Sequence, residues 1–250
     1  MAVRTTAQKR AQSAQDVPIS VVALSGEGLT EANVLTVLDL GQVAPNFQSV
    51  RSSNTGSTRL GIRGVGSLAN TLIEPSVAVF LDGVYVPRSG SVLGAFLDIE
   101  SVEVLRGPQG TLFGKNTSAG VINVVTRRPS YTQSAEGEVT VGNYGSMGVS
   151  GSYNDALGDA GAFNIYAAKR KRDGWMDVRR GRGPRRETDD NDQNFHTVRG
   201  KVLLEPTENL EIMVSGDFTS REENCCAAVQ TTVGATAAIL NALTGGQAVA

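Results

Sequence analysis

The sequence predicts a small α+β domain followed by a run of antiparallel β-strands. Three observations lead there. Between Pro18 and Thr126, short apolar segments alternate with glycine-rich turns and one helical stretch. After Arg127-Arg128-Pro129 the pattern changes to alternation with a period of two. The connections in that second part are mostly short, with one long polar one. The 250 residues include 29 glycines, aromatics make up 5%, and the formal net charge is −2, a balance that suits turn-rich β structure. No run of 18 apolar residues is present, so no membrane-spanning helix is expected; a β-barrel would leave no such run either.

Met1 to Gln15 is polar, and its start has no apolar core of the kind a secretory signal peptide needs. Pro18 to Leu24 reads as a strand. Thr30 to Val43 reads as a helix, with Thr30 as N-cap, Val34, Leu35, Leu38 and Leu40 on one face, and Pro45 as its stop. Val50 to Thr58 is a turn region, and the strand after it runs into Arg63. Gly64 to Glu74 reads as a loop. Val77, Val79 and Leu81 then alternate with Ser76, Ala78 and Phe80, Asp82-Gly83 makes a tight turn, and Val84 to Val86 returns. After a loop from Pro87 to Gly94, a strand at Ser101 to Leu105 enters a loop with glycines at 107, 110, 114 and 120. A further strand, Val121 to Val125, leaves it. Four glycines in so short a stretch mark a sharply specified loop.

In the second part, Val139 and Val141 share a face before a turn at Asn143 to Ser146. Met147, Val149 and Tyr153 lie on one face of the next strand. A short turn at Asp155 to Asp159, a strand at Phe163 to Ala168 and a long polar stretch from Lys171 to Asn194 follow. Val198, Val202 and Leu204 alternate with Thr197, Arg199, Lys201 and Leu203; then, past Pro206 to Asn209, Leu210, Ile212, Val214 and Phe218 alternate with polar neighbours. Such strands fit a barrel with lipid outside and water inside, and short periplasmic turns should alternate with long exterior loops. A soluble β-sandwich alternates in the same way.

Several kinds of chemistry are excluded or unsupported. The loop after Leu105 lacks the spacing of a P-loop, because Gly110 and Gly114 are too close and Asn116 follows Lys115. The dinucleotide fingerprint is absent there and at Gly61 to Gly66, and the segment that follows is strand-like, so no helix N-terminus faces a phosphate. His196 is the sole histidine, which leaves no nucleophile–base set and, with only two cysteines, no metal site. Lys169 to Arg186 holds nine basic residues, but six acids between Asp173 and Asp192 balance them, so no nucleic-acid partner is expected. The adjacent Cys225 and Cys226 read as two thiols or as an oxidised pair in an exterior loop; the pair is the expectation taken for an extracytoplasmic setting.

Three ordered stretches carry a family likeness: Arg59-Leu60-Gly61-Ile62-Arg63-Gly64, Ser76 to Tyr85 (SVAVFLDGVY), and Ile99 to Pro108 (IESVEVLRGP) leading into the glycine loop. Together they resemble the plug domain of TonB-dependent outer-membrane receptors. The resemblance implies a plug over residues 16–129 and, over residues 130–250, the N-terminal strands of a 22-stranded barrel that they cannot close, so a fragment is expected. It implies a degenerate or truncated TonB-box region over residues 1–15, in which Arg4 and Thr5 depart from the usual apolar pattern. It implies that Arg63 and Arg106 pair with barrel glutamates, and that Ser67, Asn70, Tyr85 and Arg88 lie in ligand-proximal loops. Gly64, Gly83, Gly107, Gly110, Gly114 and Gly120 would shape those loops. The expected partners are TonB with its inner-membrane energising complex, an iron chelate and outer-membrane lipid, with no cofactor and no enzyme activity. The location implied is the outer membrane of a Gram-negative bacterium, and the function energised uptake of a scarce nutrient such as a ferric siderophore. A soluble periplasmic plug-like binding module is the alternative.

Overall fold

The computed structural model describes residues 4–5, 12–13, 19–51, 58–66, 74–87, 97–178, 188–224 and 237–245. β1 (Arg4–Thr5) and β2 (Gln12–Ser13) pair as an antiparallel ribbon. β3 (Ser20–Ser25) enters helix α1 (Gly26–Glu31). β4 (Phe47–Arg51), β5 (Thr58–Ile62) and β6 (Val65–Gly66) form a small antiparallel sheet. The hairpin β7 (Val77–Leu81) and β8 (Val84–Val86) comes next, then β9 (Ile99–Arg106), the short helix α2 (Gly110–Phe113) and β10 (Gly120–Thr126).

Strands β3, β9, β10, β7 and β8 lie side by side in that order, with β10 parallel to β7 and the other pairs antiparallel. Because side chains alternate across a strand, one face of this sheet sends Val77, Val79, Val102, Val104, Ile122 and Val124 into the main core. Val34, Val37, Leu40 and Ile62 close that core from the other side. The opposite face buries Ala78, Phe80, Leu105 and Val121. There Phe113 packs edge-on against Phe80 at 5.0 Å between ring centroids.

Two expectations fail here. No helix runs from Thr30 to Val43. Helix α1 starts earlier, capped by Ser25, whose hydroxyl accepts from the Gly28 N–H at 3.1 Å. Thr30 lies in its last turn and donates to the Gly26 carbonyl. Asn33 turns left-handed at φ 52°, and the Asp39 carboxylate accepts from the Leu35 and Thr36 N–H groups, so the chain continues in turns to a 3-10 turn at Asp39–Gln42. Val34, Val37 and Leu40 become the buried residues, while Leu35 stays exposed. The glycine loop is also not wholly irregular: α2 forms inside it and Gly114 ends it at φ 78°. Gly120 is a strand residue rather than a loop one.

The second part is β11 (Ser134–Gly142), β12 (Ser146–Ala156), β13 (Gly161–Arg172), the small ribbon β14 (Met176–Asp177) and β15 (Asp189–Asp190), β16 (Gln193–Thr207) and β17 (Leu210–Arg221), then helix α3 (Ala237–Thr244). Strands β11, β12, β13, β16 and β17 form one antiparallel sheet of consecutive neighbours, open among the described residues. Three of its four connections are tight, and the first, at 143–145, is as short as the others, so short and long do not strictly alternate.

This sheet is inverted relative to a soluble one. Val139, Val141, Met147, Val149, Ile165, Val198, Val214 and Phe218 are exposed. Register places Val139 opposite Val149, Val141 opposite Met147 and Val198 opposite Phe218, so they share one face. Asn154, Asn164, Tyr166, Thr197, Arg199 and Lys201 point to the other face and are buried, with Arg199 and Lys201 bonded to the N-terminal unit. No described helix is long and apolar enough to cross a membrane, which says nothing about strands.

Candidate functional site

The two parts meet along a charged seam. Arg199 and Lys201 are two apart on β16, so both point inward. The Lys201 ammonium, 5% exposed, lies 2.9 Å from Asp82 Oδ2 and donates to the Thr126 carbonyl at 3.2 Å. Asp82 occupies the β7–β8 turn at φ 49°, followed by Gly83 at φ 81°, the left-handed pair a tight hairpin requires. Its carboxylate also accepts from the Thr126 N–H at 2.8 Å and the Thr126 hydroxyl at 2.7 Å. One carboxylate therefore ties the hairpin turn, the end of β10 and strand β16 of the second sheet. The Arg199 guanidinium donates to the Leu97 carbonyl at 3.2 Å.

Beside Leu97, Asp98 stands at φ 57° with its side chain 3% exposed. Arg127 Nε lies 3.4 Å from Asp98 and Arg127 Nη1 lies 2.5 Å from Glu136 on β11. Burial pushes the Asp98 carboxyl above its ordinary value, and the fields of Arg127, Arg199 and Lys201 offset this only in part. The folded state thus keeps a proton that the unfolded chain releases. Stability is then greatest below the unfolded pKa near 3.8 and falls as pH rises through the higher folded value. Asp98→Asn is expected to flatten this slope, read as denaturation midpoints from about pH 4 to about pH 7.

The linker is clamped as well. Asn154 accepts from the Ser130 N–H at 2.8 Å and donates to the carbonyls of Ser130 and Thr132. Arg128 pairs with Glu211 at 2.9 Å, and the Tyr131 hydroxyl donates to Glu205. Between α1 and the second sheet lies a cleft of about 660 Å³, lined by Asp98, Glu100, Arg127, Glu136, Tyr166 and Arg170 among others.

The residues singled out from sequence fall in different places. Arg63 is exposed at φ 55°, and its Nη1 lies 3.7 Å from where a Cβ on Gly107 would sit, next to Arg106. The fold thus sets the Arg63 guanidinium against the backbone beside Arg106. Arg106 Nη1 reaches the Pro45 carbonyl at 3.5 Å, and its buried Nε has no hydrogen-bond partner among the described residues. Neither guanidinium meets a carboxylate among the described residues. Tyr85 is half-buried: its ring packs near Phe80, and its hydroxyl accepts from Asn116 Nδ2 at 2.9 Å. Gly64, Gly107 and Gly114 join Gly83 in the left-handed region, whereas Gly110 does not. Ser67, Asn70, Arg88, Cys225 and Cys226 lie outside the described residues. Sequence reasoning assigned Asp82 only to its turn and passed over Arg199 and Lys201. The available signal was two cations two residues apart, on the polar side of an alternating strand.

The family model for the TonB-dependent Receptor Plug Domain matches residues 13–121. Residues 13–121 are a TonB-dependent receptor plug domain. Over 131 residues it is 37% identical to the pesticin receptor of Yersinia pestis, a match covering 52% of this chain and 19% of that protein. It is 23% identical over 206 residues to the ferrioxamine receptor of Yersinia enterocolitica, covering 80% of this chain and 26% of that protein. The solved ferric yersiniabactin uptake receptor FyuA from Yersinia pestis superposes with a TM-score of 0.73 at 27% identity, over 83% of this chain and 32% of that one. The chain spans about a fifth of the length of the curated relative named first. The seam is accordingly a contact between the plug and the antiparallel sheet that follows it.

Proposed function

We propose that this chain contributes the plug and first wall strands of an outer-membrane receptor that imports a ferric siderophore with energy relayed by TonB. In this reading residues 1–15 meet TonB, residues 16–129 are the plug, and residues 130–250 begin the barrel. The observation that carries it is the inverted sheet: a polar face buried on the plug and an apolar face left exposed. The names of the relatives support an iron chelate as cargo, since they include ferrioxamine and ferric yersiniabactin receptors. Transport of this kind needs binding and force but no bond-making step, so no residue is assigned a catalytic role.

Arg63 and Arg106 are proposed to meet carboxylates of wall strands beyond those described. The Arg63 guanidinium, set against Gly107, and the neighbouring Arg106, with its unpartnered buried Nε, call for anionic partners. Ser67, Asn70, Tyr85 and Arg88 are proposed to approach the ligand from loops on the rigid plug. The test is radioiron uptake from a panel of ferric chelates in iron-starved cells with and without TonB. Uptake of at least one chelate that requires both this protein and TonB is expected. Equal accumulation with and without the protein across the panel would overturn the reading. Changing both Arg63 and Arg106 to alanine is expected to abolish uptake while surface binding of the chelate persists, as measured at low temperature.

A further inference from the structure

We infer that Lys201 is a plug-positioning residue: with Asp82 and Thr126 it forms a seat that holds one end of the plug sheet on wall strand β16. The inference rests on the receptor reading above and concerns the end of the plug remote from Arg63 and Arg106. Register shows the separation. Along β10, Gly120 pairs with Arg106, whereas Thr126 pairs with Ile99 at the other end. Six residues of strand put these ends roughly 20 Å apart. The arginine end presents plug cations. The Asp82–Lys201 contact has the opposite polarity, plug carboxylate against wall cation.

The geometry favours a specific contact over incidental surface pairing. The Lys201 ammonium is buried, and a buried ammonium needs a carboxylate and further acceptors. It has both, in Asp82 Oδ2 and the Thr126 carbonyl. The Asp82 turn would be complete with its Thr126 bonds alone, so the bond to Lys201 adds nothing within the plug. What it adds is attachment to the wall. Arg199, one pleat away, repeats the attachment on the Leu97 carbonyl. At these two contacts the cations belong to the wall, whereas just beyond Thr126 the plug's own Arg127 and Arg128 reach the wall carboxylates Glu136 and Glu211.

The test compares Lys201→Met, which keeps the stem and loses the charge, with Lys201→Arg, which keeps the charge and donors. The readout is entry of a hydrophilic dye too large for ordinary outer-membrane pores. It is measured in cells lacking TonB, without ligand, at matched amounts of membrane-inserted protein. Lys201→Met and Asp82→Asn are each expected to raise dye entry on the order of tenfold, from loss of one partner of a largely buried pair. Lys201→Arg is expected to stay within about twofold of the parent, a change too small to reflect loss of the pair. Dye entry unchanged in Lys201→Met, or raised as much by Lys201→Arg as by Lys201→Met, would overturn the inference. Because neither ligand nor TonB is needed, failure here is separable from failure of the uptake experiment.

Discussion

Gly120→Ala is expected to destabilise the plug by about 3 kcal/mol or more, the upper end of what overpacking costs. A Cβ at this position would fall 2.3 Å from the Leu105 carbonyl oxygen and 2.5 Å from Ile62 Cδ1. Neither neighbour can give way cheaply. Leu105 is locked in the β9–β10 ladder opposite Val121, and Ile62 is fully buried in the core. The replacement must therefore part the strand from the sheet or displace the residue that joins the small sheet to it. Gly110→Ala is the informative contrast. Its Cβ would meet nothing within 4 Å, and it begins helix α2, so it should be neutral or slightly stabilising. Denaturant midpoints of the two variants, with hydrogen exchange across β9 and β10, measure the difference.

Val214→Arg is expected to cost about 2–4 kcal/mol of folding stability in a bilayer, the range for a cation near the midplane on the lipid face. Val214 is central in β17, 58% exposed, and opposite Val202 on the apolar face. Met213→Arg, at an exposed site opposite Leu203, points the same charge to the other face and should change stability by no more than about 0.5 kcal/mol. Were the Val214 face open to water instead of lipid, both sites would be solvated and the two variants would match. Refolding into lipid vesicles from denaturant, with titration of each variant, gives the numbers.

Much of the fold was legible because its signals are local. The Asp82-Gly83 turn, the alternation in β12, β16 and β17, and the strand–loop–strand run from Ile99 to Thr126 each follow from neighbouring residues. The helix over 30–43 was misread because apolar residues at helical spacing also serve a chain of turns. Asn33 in the left-handed region and Asp39 bonding to backbone decided between them. Neither reveals itself in periodicity. The seam was illegible for a different reason. Alternation tells that Arg199 and Lys201 share the polar face, but not that Asp82 stands opposite. Such a pair, far apart in sequence, becomes visible only when the sheet is seated on the plug. The two arginines were visible as motif residues, yet only the fold shows Arg63 lying against Gly107, the neighbour of Arg106.

The most direct measurement is a scan of single spin labels along β16 in the protein reconstituted into lipid. Labels at His196, Val198, Gly200, Val202 and Leu204 should collide with lipid-dissolved oxygen. Labels at Thr197, Arg199, Lys201 and Leu203 should be shielded from oxygen and from a water-soluble nickel chelate alike, because the plug covers that face. Collision with the nickel chelate at both sets, with no alternation along the strand, would contradict a wall that has lipid on one side and a seated plug on the other.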